Sequence, residues 1–125
     1  MTINAKGVDF VSIPVTDFDR AVAFYRDVLG LEQSIQYGDH PGMEFEAGNL
    51  TISLMNFEFF GGKNAHGTGA IVFKVDDVAA TKEALEAKGV KFESDIIESG
   101  VCHQAYFLDS EGNSLGLHHR YKPRD

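Results

Sequence analysis

Few side chains in this sequence are equipped for chemistry. The candidates are five histidines, His40, His66, His103, His118 and His119, and a single cysteine, Cys102, in 125 residues. A catalytic metal needs several N, O or S donors converging on one point, with a position left open for substrate. Adjacent side chains on a strand point to opposite faces. The pairs His118-His119 and Cys102-His103 therefore offer one donor each to any one face. His118 shares parity with Gly116, and Cys102 with Gln104 and Tyr106, so Cys102 plus His118 is the improvised metal site that spacing allows. A lone strand histidine is more often a hydrogen-bonded or surface group, and no metal ligand is assigned. Without a metal, the candidate catalytic residues are His118 and Tyr106 for acid-base work and Cys102 as a nucleophile. A buried cysteine is inert packing unless an electropositive setting activates it. No Ser-His-Asp order, no glycine-rich loop followed by Lys and no CxxC is recognisable.

These residues must be positioned by a small set of elements. Val8 to Val15 alternates, with Val11, Ile13 and Val15 on one face and Phe10, Ser12 and Pro14 on the other, the period of a half-buried strand. Pro14 has no N–H to donate, which suits a strand with one unpaired side. Thr16 and Asp17 can cap a helix whose apolar face holds Ala21, Phe24, Tyr25, Val28 and Leu29, and Gly30 ends it. Strands are expected over 32–37, 43–47 and 50–56, separated by turn residues at 38–42 and 48–49.

The second half repeats the plan. Ile71, Phe73 and Val75 alternate against Ala70, Val72 and Lys74. Asp76 or Asp77 caps a helix with Val78, Thr81, Ala84 and Leu85 on one side, and Lys88-Gly89 stops it. Short strands are expected at 90–93 and 95–99, longer ones at 101–108 and 114–119, with a charged, frayed tail from Arg120. The expected organisation is one domain over 1–125: a first βαβββ module at about 8–56, a linker at 57–69 and a second module at about 70–119. The linker cluster Phe57, Phe59 and Phe60 either pins the connection to the body or forms an apolar lid over a cavity.

Composition narrows the partners. The apolar fraction of 43% and charged fraction of 24% suit an ordinary soluble globular protein with a real core, and the two βαβββ modules make its expected class α+β. No run approaches the length of a membrane span. The opening MTINAKGVDF lacks a basic region followed by an apolar stretch, so no signal peptide is expected. With one unpaired cysteine, this favours a reducing cytoplasm. The net charge of -8 argues against nucleic acid and mildly favours a cationic ligand.

Three stretches together, VSIPVTDFDRAVAFYRDVLGL, FKVDDVAATKEALEAKGVKF and YFLDSEGNSLGL, resemble the vicinal oxygen chelate superfamily. That family includes glyoxalase I, extradiol dioxygenases, fosfomycin resistance proteins and bleomycin resistance proteins. The resemblance spans nearly the whole chain. It implies paired βαβββ modules, each curling a mixed sheet around a cavity, and a homodimer with cavities near the interface. Its metalloenzymes bind a divalent ion with His and Glu on the cavity faces. Carried over residue by residue, those four positions fall on Phe10, Ser53, Ala70 and Gly116. None can donate to a metal as a carboxylate or imidazole would. The resemblance therefore implies the metal-free branch, whose members sequester a drug.

The same parity assigns the ligand-binding lining to Phe10, Ser12, Ser53, Met55, Val72, Cys102, Gln104, Tyr106 and His118. This mixture of aromatic, thioether and few polar groups suits a small, partly flat organic molecule. Tyr106, three residues before Asp109, also matches a family position that can face a ligand. The expected function is metal-independent binding of a hydrophobic or cationic compound, with no cofactor. The alternative is a lyase or isomerase with an atypical or absent metal site. Exposed sheet edges are normally covered or paired, which with the resemblance makes a homodimer the expected state.

Overall fold

A computed structural model of the chain describes residues 4, 6, 8–61 and 70–123. His66 and most of the expected linker, 62–69, lie outside the described residues. The chain divides into two compact units, Met1–Ala65 and His66–Asp125.

The first unit runs β1 (Val11–Pro14), α1 (Phe18–Ala23), a π-helical turn (Phe24–Val28), β2 (Glu32–Gln36), β3 (Gly42–Glu46) and β4 (Thr51–Met55). Its sheet is ordered β1-β4-β3-β2, with β1 parallel to β4 and the other pairs antiparallel. Pro14 is tolerated because β1 is an edge strand. Asp17 caps α1 by accepting from the Arg20 N–H at 3.2 Å. One face of the sheet packs on the helix. Ile13, Val15, Ala21, Val22, Tyr25, Met43, Phe45, Ile52 and Leu54 are all buried there.

The expected single α-helix through Leu29 does not persist. At Phe24 the backbone widens, and the Leu29 N–H donates to the Phe24 carbonyl five residues back. In this turn Tyr25 is fully buried against Phe45, with ring centroids 5.9 Å apart, while Phe24, Val28 and Leu29 are half-buried. Gly30, at φ 74°, then turns the chain out.

The second unit runs β5 (Ile71–Lys74), α2 (Val78–Ala87), β6 (Ile97–Glu98), β7 (Cys102–Leu108) and β8 (Ser114–Arg120), ordered β5-β8-β7-β6. β5 is parallel to β8. Asp77, not Asp76, caps α2 through the Ala80 N–H at 2.9 Å. Val78, Leu85, Val90, Ala105, Phe107, Leu115 and Leu117 make the buried core. Each unit is an α+β module with one open, four-stranded mixed sheet. Among the described residues, no helix is long and apolar enough to cross a membrane.

Two further expectations are corrected. No strand forms at 90–93; only Phe92 bridges Phe107. The Tyr106 N–H donates to Ser94 Oγ instead of to a backbone carbonyl, so a side chain interrupts the ladder and β6 shrinks to two residues. The tail is not frayed at Arg120, which belongs to β8, and Tyr121 N–H donates to the Val101 carbonyl at 3.1 Å.

Candidate functional site

Each sheet has a face turned away from its helix, and the expected lining residues lie on these two faces. In the first unit, Ser12 on β1 pairs in register with Ser53 on β4, and Ser53 with Glu44 on β3. Pro14, Met55 and Gly42 form the next row. Ser12 Oγ lies 4.0 Å from Met55 Sδ. Phe10 precedes β1 and is exposed rather than held in the ladder.

The polar centre of this face was not anticipated. Tyr37 follows β2 and folds back over Gly42. A Cβ placed on Gly42 would lie 1.9 Å from Tyr37 Cδ2, so only glycine lets the ring lie flat there. The Tyr37 hydroxyl donates to Glu44 Oε2 at 2.5 Å and contacts Ser53 Oγ at 2.8 Å. A phenol has one proton. With that proton directed at Glu44, the Ser53 hydroxyl donates to the Tyr37 oxygen. Burial, then the bond to Glu44, pushes the Tyr37 hydroxyl above its ordinary range, so it stays protonated. Further along β3, Glu46 accepts from Ser34 at 2.5 Å and Thr51 at 2.7 Å, and these two bonds hold its carboxyl below the usual range.

In the second unit, the strand register puts the expected residues on one sheet face. Tyr106 pairs with Gly116, Gln104 with His118, Cys102 with Arg120 and Val72 with Gly116. One face thus carries Val72, Lys74, Cys102, Gln104, Tyr106 and His118, Lys74 being in register with His118. The Tyr106 hydroxyl donates to Gln104 Oε1 at 2.6 Å. A Cβ on Gly116 would sit 2.8 Å from Tyr106 Cδ1 and 2.9 Å from Cε1, so this tyrosine too rests on a glycine. Cys102 is buried, with Sγ 3.0 Å from Ser99 Oγ.

The other described histidines lie elsewhere. His40 stacks against Phe59 and Phe60, with centroids 5.2 and 6.1 Å apart. His103 Nε2 lies 2.9 Å from Glu98 Oε1, and its register partner is His119. Glu98 also accepts from Tyr121 at 2.6 Å and from the Gly100 N–H at 2.8 Å. These bonds lower the Glu98 carboxyl, and Glu98 in turn pushes the Tyr121 hydroxyl up to about 12. An open cleft of about 580 Å³ lies at the start of α1, between Asp17, Phe18, Asp19 and the β2–β3 turn at Asp39, His40 and Pro41. It includes none of the expected lining residues.

The donor positions implied by the resemblance do not fit a divalent metal. Ser53 is wholly buried beneath the Tyr37 hydroxyl. Gly116 is covered by the Tyr106 ring, leaving no room for a carboxylate side chain. Phe10 and Ala70 offer a phenyl ring and a methyl group. Among the described residues, no three His, Cys, Asp or Glu side chains group as a metal would require.

Residues 7–117 match the family model of the Glyoxalase/Bleomycin resistance protein/Dioxygenase superfamily. The lactoylglutathione lyase of Haemophilus influenzae is 31% identical over 113 residues, covering 81% of this chain and 83% of that protein. Among solved structures, the fold is similar to the lactoylglutathione lyase of Agrobacterium tumefaciens (TM-score 0.77, 24% identity, 93% and 95% of the two chains). It is also similar to TnmS3, an antibiotic binding protein from Streptomyces sp. CB03234 (TM-score 0.74, 24% identity, 95% and 99%).

Proposed function

Because the chain belongs to the glyoxalase/bleomycin resistance protein/dioxygenase superfamily yet fills that family's metal positions with side chains that cannot ligate, we propose that it is a metal-independent binding protein for a small organic compound, hydrophobic or cationic. The observation that carries this reading is the double replacement of ligand positions by tyrosine-covered ones: Ser53 under Tyr37, and Gly116 under Tyr106. The Tyr37 phenol, held protonated, is a poor metal ligand, and both hydroxyls are fixed hydrogen-bond groups. Ser12 and Met55 on the open face of the first unit, and Val72, Cys102, Gln104 and His118 on that of the second, each supply the mixture of apolar surface and few directed polar atoms that organic ligands require. That one structural neighbour is an antibiotic binding protein supports the fold's suitability for capture.

Elemental analysis of the purified protein tests this reading. The expected result is no stoichiometric zinc, nickel, iron or manganese, with ligand binding unaffected by chelator. A stoichiometric metal would overturn it. The likeness to a lactoylglutathione lyase favours a second reading, a lyase or isomerase using His118 and Tyr106. Turnover of lactoylglutathione by metal-stripped protein would establish that reading instead.

The same proposal takes the working state as a cytoplasmic homodimer, with neither nucleic acid nor membrane as partner. Supporting it, β1 is a sheet edge flanked by Val8 (75% exposed) and Phe10 (45%), and Phe59 (57%) and Phe60 (43%) are also open. Such patches suit a two-fold contact in which each meets its own copy. A monomer mass by sedimentation equilibrium at micromolar protein would refute the dimer.

A further inference from the structure

We propose that the open sheet face of the first unit is an organic-ammonium site, in which Glu44 pairs with the cation and the Tyr37 ring lies beside it. The inference deepens, and rests on, the metal-independent binding reading. Glu44 is half-buried on the middle of β3, directly opposite the fully buried Ser53. Among the described residues, no Lys, Arg or His lies within 4 Å of it. Among the described residues, its carboxylate accepts a side-chain hydrogen bond from the neutral Tyr37 hydroxyl and from no cationic group.

The hydrogen-bond directions converge on this carboxylate. Ser53 donates to Tyr37, and Tyr37 donates to Glu44 Oε2, so Oε1 is left to a ligand. A solvating surface glutamate needs no such relay, nor a glycine at residue 42 to seat a tyrosine ring beside it. Metal ions are poor occupants, since one carboxylate and neutral hydroxyls fall short of the donor set that zinc or calcium takes. An ammonium group is different. It needs one anionic partner, gains from an aromatic face, and carries an apolar body. That body has Pro14 and Met55 in the adjoining row of the same face.

The test uses the full chain, stripped with chelator, and three probes of one size class: benzyltrimethylammonium, benzyl alcohol and benzoate. Isothermal titration calorimetry should show the cation bound about tenfold more tightly than the alcohol, with benzoate weakest. Glu44→Gln should reduce the cation to the alcohol's affinity and leave the alcohol unchanged. Amide chemical shifts of the unsubstituted protein should move at Gly42, Glu44 and Ser53 when the cation is added, which decides the matter even if the variant misfolds. Loss of cation binding, equal affinity for all probes, or a cation preference that survives Glu44→Gln would each overturn the assignment. If benzyl alcohol binds the stripped protein without a cation preference, Glu44 is misassigned but metal-independent capture stands. If no probe binds until zinc is restored, both readings fall.

Discussion

Substituting Gly42 with alanine should test whether Tyr37 is held by a missing methyl group. Gly42 does not occupy the left-handed region, so alanine suits its backbone. The three nearest atoms are all carbons of the Tyr37 ring, at 1.9, 2.7 and 2.9 Å, and a tyrosine ring can swing away. In doing so it abandons two bonds. Ser53, wholly buried and bonded to Tyr37, is left without that partner, which costs about 1–3 kcal/mol. The bond to the half-exposed Glu44 contributes about 1 kcal/mol more. Against this, Gly to Ala stabilises by about 0.4–1 kcal/mol through the unfolded chain. The net expectation is a loss of about 1–3.5 kcal/mol. In a Tyr37→Ala background those bonds are already gone, and Gly42→Ala should instead stabilise by about 0.5 kcal/mol. Urea unfolding of the four proteins, followed by circular dichroism, gives the coupling energy. Costs equal in both backgrounds to within about 0.5 kcal/mol would refute the steric account.

Three other outcomes are expected. Gly116→Glu should destabilise by about 1–3 kcal/mol by displacing Tyr106, and even with Phe10→His it should bind no stoichiometric zinc by native mass spectrometry, because Ser53 and Ala70 still offer no ligand; nanomolar zinc binding with glyoxalase turnover would overturn this. Phe45→Ala, at a wholly buried position against Tyr25, should cost about 3–5 kcal/mol in denaturant unfolding. Tyr121→Phe should flatten thermal stability in two pH windows: Glu98, lowered in the folded state, stabilises above its usual range and loses this as pH falls through its folded value, while Tyr121 stabilises below its ordinary 10 and loses this as pH rises through about 12.

What the sequence discloses depends on whether side-chain period is the physical control. Along β7 and β8 the ladder is regular over seven residues, so parity alone puts Cys102, Gln104, Tyr106 and His118 on one face. The same logic finds Ser12, Ser53 and Met55. It misses Tyr37 because that residue lies past the end of β2, after a bulge between Gln33 and Ile35, and returns to the face by lying across Gly42. Glycine in a turn-rich stretch reads as a turn signal, not as a seat for a ring. Glu44 was hidden for a related reason. Its parity was legible, but a glutamate on an open strand reads as a solvated side chain until its partner is seen. The strand expected at 90–93 failed where the Ser94 side chain took a ladder donor, a side-chain bond overriding a local pattern, and the single α-helix expected through Leu29 gives way to a π turn at Phe24.

The two tyrosine seats are not inherited copies of one feature. Gly42 lies on β3 and is covered by a residue from beyond β2; Gly116 lies on β8 and is covered by its direct register partner on β7. The modules repeat in order of elements, yet each arrives at glycine-seated tyrosine by a different route. A void or a mobile side chain on a sheet face weakens ligand binding by leaving ordering to the moment of association. A ring laid on glycine fills the space, and its hydroxyl is fixed by Glu44 and Ser53 in one unit and by Gln104 in the other. The faces differ in what they then offer: a carboxylate with no cationic partner within 4 Å among the described residues in the first, and a neutral amide near Lys74 and His118 in the second. The two faces are thus preorganised polar surfaces of unlike charge, and among the described residues it is the anionic one that has no cationic partner.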